Sequence, residues 1–193
     1  MYLTRAILFA ALLLSSLPSA AALISLIPSE HDVVSGETFN LDVQISGLLP
    51  DQVVQLFDIQ LLFDPAIFGL TSSVFGSGLG EGIDSYQEHS GLNFYEYSLL
   101  WDDELKLLQG SGFTLLTLTF NALAPVTDGS ISLAINAFGL LDFNQELIDA
   151  DVAAAQLSVR APLQTIASPS TASLLVLMLC IVAVGRRRTR HIS

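Results

Sequence analysis

Two short acidic segments contain the residues whose chemistry is easiest to assign. Their carboxylates are Asp102, Asp103 and Glu104 in the sequence WDDE, and Glu81, Asp84 and Glu88 in the sequence GEGIDSYQEH. Ca²⁺ prefers carboxylate oxygens as ligands, so both segments are candidate calcium sites. Neither has the ligand spacing of an EF-hand, and we favour solvated acidic loops. We therefore predict no required cofactor, with Ca²⁺ as the alternative.

Four aromatic side chains in the same region are candidates for a surface that stacks on sugar rings. They are Tyr86, Tyr95, Tyr97 and Trp101. Tyr95, Tyr97 and Trp101 recur at every second residue, together with Leu99, so they would share one face of a β-strand. If this row of aromatic side chains is exposed, it could bind polysaccharide, whereas a buried row would belong to the core. We favour the core interpretation.

Residues suited to catalysis are sparse. The segment 23–161 contains two histidines, His31 and His89, and no cysteine, since the only cysteine is Cys180. No nucleophile elbow or similar motif places a serine beside a histidine and an aspartate. We therefore predict that the protein is not an enzyme.

In the segments that would position these residues, apolar residues recur at every second position. Alternating apolar residues indicate half-buried strands in TFNLDVQIS, LFDIQLLFDP, SISLAIN and AAAQLSV. The predicted inward residues are Phe39, Leu41, Val43 and Ile45; Phe57, Ile59, Leu61 and Phe63; Ile131, Leu133 and Ile135; and Ala155, Leu157 and Val159. LNFYEYSLLW and FTLLTLTF also have the aromatic and β-branched composition of strands.

The joints between the predicted strands contain glycine and proline. Pro65 should end the strand LFDIQLLF, because proline cannot donate to the ladder. Turns are expected at Ser35-Gly36 and in GLLPDQ, GSGLGEG, LQGSG and PVTDGS. No amphipathic helical pattern of 12 residues interrupts this series. The pattern favours an all-β, antiparallel sandwich.

The charge of the chain is unevenly distributed. All 19 Asp and Glu residues lie between Glu30 and Asp151, where Lys106 and Arg160 are the nearby cations. A surface this acidic repels nucleic acid and anionic lipid, so neither is an expected partner. It suits basic partners and divalent cations, but a solvated acidic surface is the simpler interpretation.

The N-terminal residues have the layout of a secretory signal peptide. Arg5 precedes an apolar run from Ala6 to Leu14, and small residues follow up to Ala22. Ala20-Ala21-Ala22 fits an A-x-A cleavage site. We predict a signal peptide at 1–22, with an uncleaved anchor as the alternative, and export of the domain 23–161.

The C-terminal segment 162–193 contains a linker, an apolar run and an arginine-rich tail. The run from Leu174 to Val184 is 11 residues long, and even 167–185 falls just short of the roughly 20 residues that cross a bilayer. Arg186, Arg187 and Arg188 follow it and would remain on the cytoplasmic side. The expected membrane contact is through 168–185.

Three motifs along the predicted domain resemble those of a known family. They are Gly36-Glu37 at a turn that opens a strand, Phe63-Asp64-Pro65 at the end of a strand, and Phe120 through Ala122 to Gly129 in a late strand. In this order they resemble the cohesin domain, over most of residues 23–160. The resemblance implies a jelly-roll β-sandwich of about nine strands, related to carbohydrate-binding modules. It also implies a dockerin partner bound through one sheet face, but no motif identifies the binding positions.

The tail is similar to the PEP-CTERM sorting signal of Gram-negative bacteria that produce exopolysaccharide. That family carries Pro-Glu-Pro before its apolar run, whereas this chain has Ser168-Pro169-Ser170. The matching positions are Pro169, Ser170 and the arginines that follow the run. The similarity implies an exosortase-type enzyme as partner, and a protein that is anchored in the inner membrane or sorted to the cell surface or extracellular matrix.

Two classes of function remain open. In the first, the sandwich binds another protein, such as a dockerin, or a matrix component. In the second, it binds exopolysaccharide or another glycan directly. An exposed row of aromatic side chains would favour the second class, and a flat face of aliphatic and small polar residues would favour the first.

Overall fold

The computed structural model of the protein describes residues 21–163, which form a sandwich of two β-sheets. Its strands are β1 (Ala22–Pro28), β2 (Asp32–Val34), β3 (Thr38–Ser46), β4 (Leu56–Phe63), β5 (Phe68–Phe75), β6 (Ser85–Ser90), β7 (Asn93–Ser98), β8 (Gly112–Ala122), β9 (Val126–Leu141), β10 (Ala150–Ala153) and β11 (Ala155–Arg160). A short 3-10 helix, Gly82–Asp84, precedes β6, and an α-helix, α1 (Asp102–Gln109), follows β7.

The predicted terminal signals lie almost entirely outside the described residues. Residues 1–20 of the predicted signal peptide 1–22 are not among the residues that the structure describes. Neither are residues 164–193, with Pro169, Ser170, Arg186, Arg187 and Arg188. Within residues 21–163, no helix combines the length and the apolar character that crossing a bilayer requires.

The eleven strands are divided between a five-stranded and a six-stranded sheet. The five-stranded sheet has the order β10-β1-β3-β8-β5, and the six-stranded sheet has the order β2-β11-β9-β4-β7-β6. Two pairs at the sheet edges are parallel, β1 with β10 and β2 with β11, and the other pairs are antiparallel. The predicted β-sandwich is therefore confirmed, with short additional strands and two parallel pairs that the sequence did not indicate.

The core lies between the two sheets, where the predicted alternation is largely confirmed. All four inward residues of β3 are buried, and so are those of β11. Phe120 of β8 lies at the centre of an aromatic cluster, with its ring centroid 5.6 Å from Phe39 and 5.2 Å from Phe63. Each such side chain contributes roughly 1.5–3 kcal/mol when fully buried. Packing of this kind stabilises the sandwich without a disulfide.

The Phe63-Asp64-Pro65 motif ends β4 as predicted. The Asp64 side chain accepts a hydrogen bond from the Ala66 backbone N–H at 2.8 Å, and the Asp64 carbonyl accepts from the Phe68 N–H at 3.0 Å. The chain therefore turns directly from β4 into β5. Gly36 has a φ of 98° at the predicted Ser35-Gly36 turn, a region that favours glycine.

Helix α1 is an element that the sequence analysis did not predict. LNFYEYSLLW was predicted as one strand, but β7 ends at Ser98 and Trp101 precedes a helix. The Glu104 carboxylate accepts a hydrogen bond from the Trp101 backbone N–H at 3.0 Å, and Lys106 pairs with Asp102 at 2.6 Å. Both contacts are local and favour a helix start.

Candidate functional site

The outer face of β6, β7, β4 and β9 carries the most distinctive exposed side chains of the described domain. In β7, Phe94 and Glu96 point inward, whereas Tyr95 and Tyr97 point outward and are half-buried. The interpretation of the tyrosine stripe as core is therefore wrong. Trp101 is 74% exposed and lies at the start of α1, so it does not extend that strand face.

Three aromatic rings pack edge to face across this surface. The Tyr86 and Tyr95 centroids lie 6.2 Å apart with an interplanar angle of 68°. Tyr95 and Phe138 lie 6.1 Å apart at 73°. Such T-shaped pairs are a favoured arrangement of aromatic rings. We call this surface, formed by Tyr86, Tyr95, Phe138, Asp58 and Glu88, the aromatic face.

Phe138 reaches the aromatic face because β9 bulges. Ile59 of β4 pairs with Ile135, but Phe57 pairs with Leu140, so Asp58 alone lies opposite residues 136–139. The sequence analysis predicted Ile135 to be inward, yet it is 38% exposed. Its pairing with the buried Ile59 agrees with the predicted inward side, but Ile135 is the last paired residue before the strand leaves the ladder, and the core does not cover it fully. Phe138, which follows in the bulge, is 60% exposed.

Asp58 holds the bulge in place. Its Oδ1 accepts a hydrogen bond from Asn136 Nδ2 at 2.9 Å, and its Oδ2 accepts one from the Phe138 backbone N–H at 3.4 Å. Gly139 closes the bulge with a φ of 65°, and a Cβ there would lie 3.0 Å from the Leu147 side chain. The bulge therefore presents Phe138 from a fixed position, as bulges near binding sites often do.

A depression of about 420 Å³ lies between the rings and the carboxylates. Asp58 pairs directly with Tyr95 across β4 and β7, and Tyr95 pairs directly with Glu88 across β7 and β6. The Tyr95 ring therefore lies between the carboxylates of Asp58 and Glu88 in one row across three strands. Ser90, Asn93 and Asn136 complete the lining with Tyr86 and Phe138, and no Lys or Arg belongs to it.

The negative charge of the depression affects its tyrosines. The Tyr86 hydroxyl donates to Glu88 Oε2 at 3.2 Å, and the charge of Glu88 raises the pKa of the Tyr86 phenol. Burial, followed by the charge of Asp58, raises the pKa of Tyr95. Both phenols are therefore neutral hydrogen-bond donors at neutral pH.

A buried carboxyl, Glu96, lies beneath the aromatic face. Glu96 Oε1 accepts hydrogen bonds from Ser85 Oγ and Gln87 Nε2, both at 2.8 Å. Burial raises the pKa of the Glu96 carboxyl, while the bonds from Gln87 and Ser85 oppose that rise. The sequence analysis did not single out Glu96, because the expected inward position of Tyr95 and Tyr97 placed it outside.

The carboxylates proposed as calcium ligands do not assemble into one site. Asp102, Asp103 and Glu104 occupy the first turn of α1, Glu81 and Asp84 flank the start and end of the short 3-10 helix, and Glu88 lies in β6. Asp102 is paired with Lys106, and Glu104 caps the Trp101 N–H. Among residues 21–163, no three His, Cys, Asp or Glu side chains come together as a metal site would require.

The two histidines among residues 21–163 contact backbone carbonyl groups. His31 Nδ1 lies 3.3 Å from the Gln156 carbonyl oxygen, and His89 Nε2 lies 2.8 Å from that of Gly91. His89 also stacks on Phe94, with centroids 4.5 Å apart. These contacts are structural and place neither ring beside the aromatic face's carboxylates.

Comparison with solved structures gives the class of fold. No protein-family model matches the chain, and no curated protein matches it in sequence. A cohesin module of a Clostridium perfringens family 33 glycoside hydrolase superposes with a TM-score of 0.55 at 11% identity, covering 74% of this chain and 97% of that one.

Two further cohesin structures also superpose on this chain. A type II cohesin from the Acetivibrio cellulolyticus cellulosome gives 0.54 at 17% identity, covering 71% of this chain and 95% of that one. A type I cohesin from Clostridium thermocellum, solved in complex with a dockerin, gives 0.55 at 11% identity, covering 76% and 99%. The described domain therefore has a cohesin-like fold, as the sequence motifs indicated.

Proposed function

We propose that the protein is a non-catalytic binding module that recognises another protein through the aromatic face. The observation that carries this proposal is the outward position of Tyr86, Tyr95 and Phe138 on a sheet whose bulge is held by Asp58. Tyr86 and Phe138 are each more than half exposed. Aromatic residues of this kind are enriched at the energetically dominant positions of protein interfaces. A site on paired strands is also presented with little conformational freedom to lose on binding.

A solved structure with a similar fold supports the proposed class of partner. The C. thermocellum cohesin is described in complex with a dockerin. For this chain, with its cohesin-like fold and exposed aromatic face, a dockerin-like protein is the proposed partner. The aromatic face supports this assignment because it provides both apolar anchors and hydrogen-bonding groups, as protein interfaces do.

Glycan binding is the second candidate, since exposed aromatic side chains lie beside Asn93 and Asn136. Stacking on successive sugar rings needs aromatic faces that lie in a common plane. Here adjacent rings meet at 68° and 73°, so the three rings do not form one flat surface. The ring geometry therefore favours a protein partner over exopolysaccharide.

The binding proposal can be tested with matched variants of the two sheets. Phe138→Ser removes an exposed ring from the aromatic face, and Val74→Ser removes an exposed apolar side chain from the outer face of β5. A partner is captured from the native secretome, purified and titrated against each variant, and the same chains are applied to a glycan array. We expect weaker partner binding only for Phe138→Ser. Equal binding by both variants, or glycan binding that requires Phe138, would contradict the proposal.

We further propose that the protein is exported and sorted to the cell surface. The supporting features are the signal-peptide layout of 1–22 and the arginine tail after the apolar run, including Arg186 to Arg188. The native protein is expected to begin near Leu23 and to lack the arginine tail after processing by an exosortase-type enzyme. Intact-mass analysis tests this, and a mass that retains Arg186 to Arg190 would indicate a plain membrane anchor instead.

A further inference from the structure

We propose that the depression in the aromatic face binds an arginine side chain of the partner protein. This inference rests on the proposed protein-binding function and specifies the chemistry that the partner inserts. It follows from the order of side chains across β4, β7 and β6, where Tyr95 lies between Asp58 and Glu88.

The rings provide the first part of the recognition. A guanidinium is planar and weakly hydrated, and it stacks on the faces of tyrosine and phenylalanine rings. Tyr86 and Phe138 flank Tyr95 on opposite sides at 6.2 and 6.1 Å between centroids. An arginine above Tyr95 would therefore contact aromatic carbon on three sides.

The carboxylates provide the second part. Adjacent strands lie about 4.8 Å apart, so Asp58 and Glu88 are separated by about two strand spacings, with Tyr95 between them. The five N–H groups of a guanidinium can donate toward both sides. Asp58 and Glu88 each retain acceptor capacity, because Asp58 bonds mainly to Asn136 and Glu88 to Tyr86.

Within the described domain, the cationic side chains are paired away from the depression. Lys106 pairs with Asp102 on α1, and Arg160 pairs with Asp32 at 2.7 Å at the β11–β2 edge. Among residues 21–163 these are the Lys and Arg side chains, and neither lines the depression. An inserted guanidinium would therefore be attracted by both Asp58 and Glu88.

Fluorotyrosine labelling gives a direct test in the full chain. The sequence has four tyrosines, Tyr2, Tyr86, Tyr95 and Tyr97, of which the last three lie on the outer face of the six-stranded sheet. A capped Gly-Arg-Gly peptide is titrated while fluorine resonances are recorded. Tyr86 and Tyr95 should shift saturably. The matched peptide with citrulline, a neutral isostere of arginine, should produce no saturable shift.

Charge-neutral variants complete the test. Glu88→Gln changes an exposed side chain and should weaken peptide binding, and Asp58→Asn with Glu88→Gln should weaken it by about tenfold or more. Asp42→Asn removes the same charge from the other sheet and should leave binding unchanged. Equal binding of the citrulline peptide, or unchanged affinity in both Glu88→Gln and the double variant, would overturn the inference.

The same variants separate the inference from the function on which it rests. If the purified partner binds through Phe138 but is unaffected by Asp58→Asn with Glu88→Gln, the protein-binding function stands and the arginine inference fails. If the partner is unaffected by Phe138→Ser as well, the proposed binding face itself is wrong.

Discussion

The two outer faces of the sandwich differ sharply, although the same alternation builds both sheets. On the outer face of the five-stranded sheet, which we call the threonine face, threonines of β8 bond to polar side chains of β3. Thr117 Oγ1 donates to Asp42 Oδ1 at 2.8 Å, and Thr119 Oγ1 donates to Asn40 Oδ1 at 3.1 Å. Strands β3 and β8 keep a regular register, apart from one shift near Val43.

The aromatic face is irregular and incompletely satisfied. Strand β4 pairs with a bulged β9, the Tyr86 and Phe138 rings are exposed, and the carboxylates have no cationic neighbour within the depression. Alternation decides which residues form the core. What distinguishes a binding face is the identity of the outward residues and the interruption of regular pairing. The following predictions test this contrast, from the largest expected effect to the smallest.

The core that both faces share should be the most sensitive part of the molecule. Val43 of β3 is fully buried, whereas Gln44 points outward on the threonine face. Val43→Asp should abolish folding, because an unpaired buried charge costs several kcal/mol against a total stability of about 5–15 kcal/mol. Gln44→Asp should cost little. Urea unfolding measures both, and comparable losses would show that the register of β3 is wrong.

Helix α1 should be fixed in place by one buried side chain. Gln109 Nε2 donates to the Val54 carbonyl at 2.6 Å and to the Gly78 carbonyl at 3.1 Å, and Gln109 Oε1 accepts from the Val54 N–H at 2.7 Å. Gln109→Leu should cost at least about 2 kcal/mol, because buried backbone groups lose their partners.

The control for this prediction lies on the same helix. Leu107 is 88% exposed, and Leu107→Ala should change the free energy of unfolding by less than about 0.5 kcal/mol. Val54 lies two residues before β4. A loss of unfolding free energy in Gln109→Leu but not in Leu107→Ala would therefore show that α1 supports the six-stranded sheet. Equal values for the two variants would refute that role.

The carboxyl beneath the aromatic face should make stability depend on pH. Burial raises the Glu96 pKa above its usual value of 4.5, so the folded chain holds that proton more tightly than the unfolded chain. The stabilising contribution is present below the usual pKa and is lost as the pH rises through the raised pKa. Wild type should therefore lose stability relative to Glu96→Gln as the pH increases from about 4 to about 7.

Chemical unfolding of wild type and Glu96→Gln at several pH values measures this difference in the free energy of unfolding. A pH-independent difference for Glu96→Gln would contradict the burial argument.

The smallest expected effect is that of calcium. The carboxylates are dispersed over the described domain, so monovalent salt should stabilise it by screening, and Ca²⁺ should act no differently from Mg²⁺ at matched ionic strength. Thermal melts in NaCl, CaCl₂ and MgCl₂ test this. A saturable increase in melting temperature that is specific to Ca²⁺, and that is lost in the double variant Asp102→Asn with Asp103→Asn, would establish a metal site.

The sequence predicts the core strands well because one face of each is clearly apolar. In β3 the inward and outward residues separate without ambiguity, and the structure confirms them. In β7 both faces carry large side chains, Phe94 on one and Tyr95 and Tyr97 on the other. Local pattern could not choose between them, because the outcome depends on packing against distant strands.

The remaining differences have separate physical causes. The bulge at 136–139 depends on Asp58, which lies 78 residues away from Asn136 in the sequence, so no local signal could reveal it. Helix α1 was predictable, since WDDELK contains a Glu three residues after Trp101 and an Asp–Lys pair at i and i+4. Those acidic residues were considered as metal ligands, whereas they stabilise the start of a helix.

Hydrogen exchange of the full chain, measured with and without its purified partner, tests the central claim most directly. If the aromatic face is the binding surface, added protection should appear in β6, β7 and the 134–140 segment of β9. The threonine face, in β3, β5 and β8, should exchange at the same rate in both states. Protection on the threonine face without protection around Tyr95 and Phe138 would contradict the account.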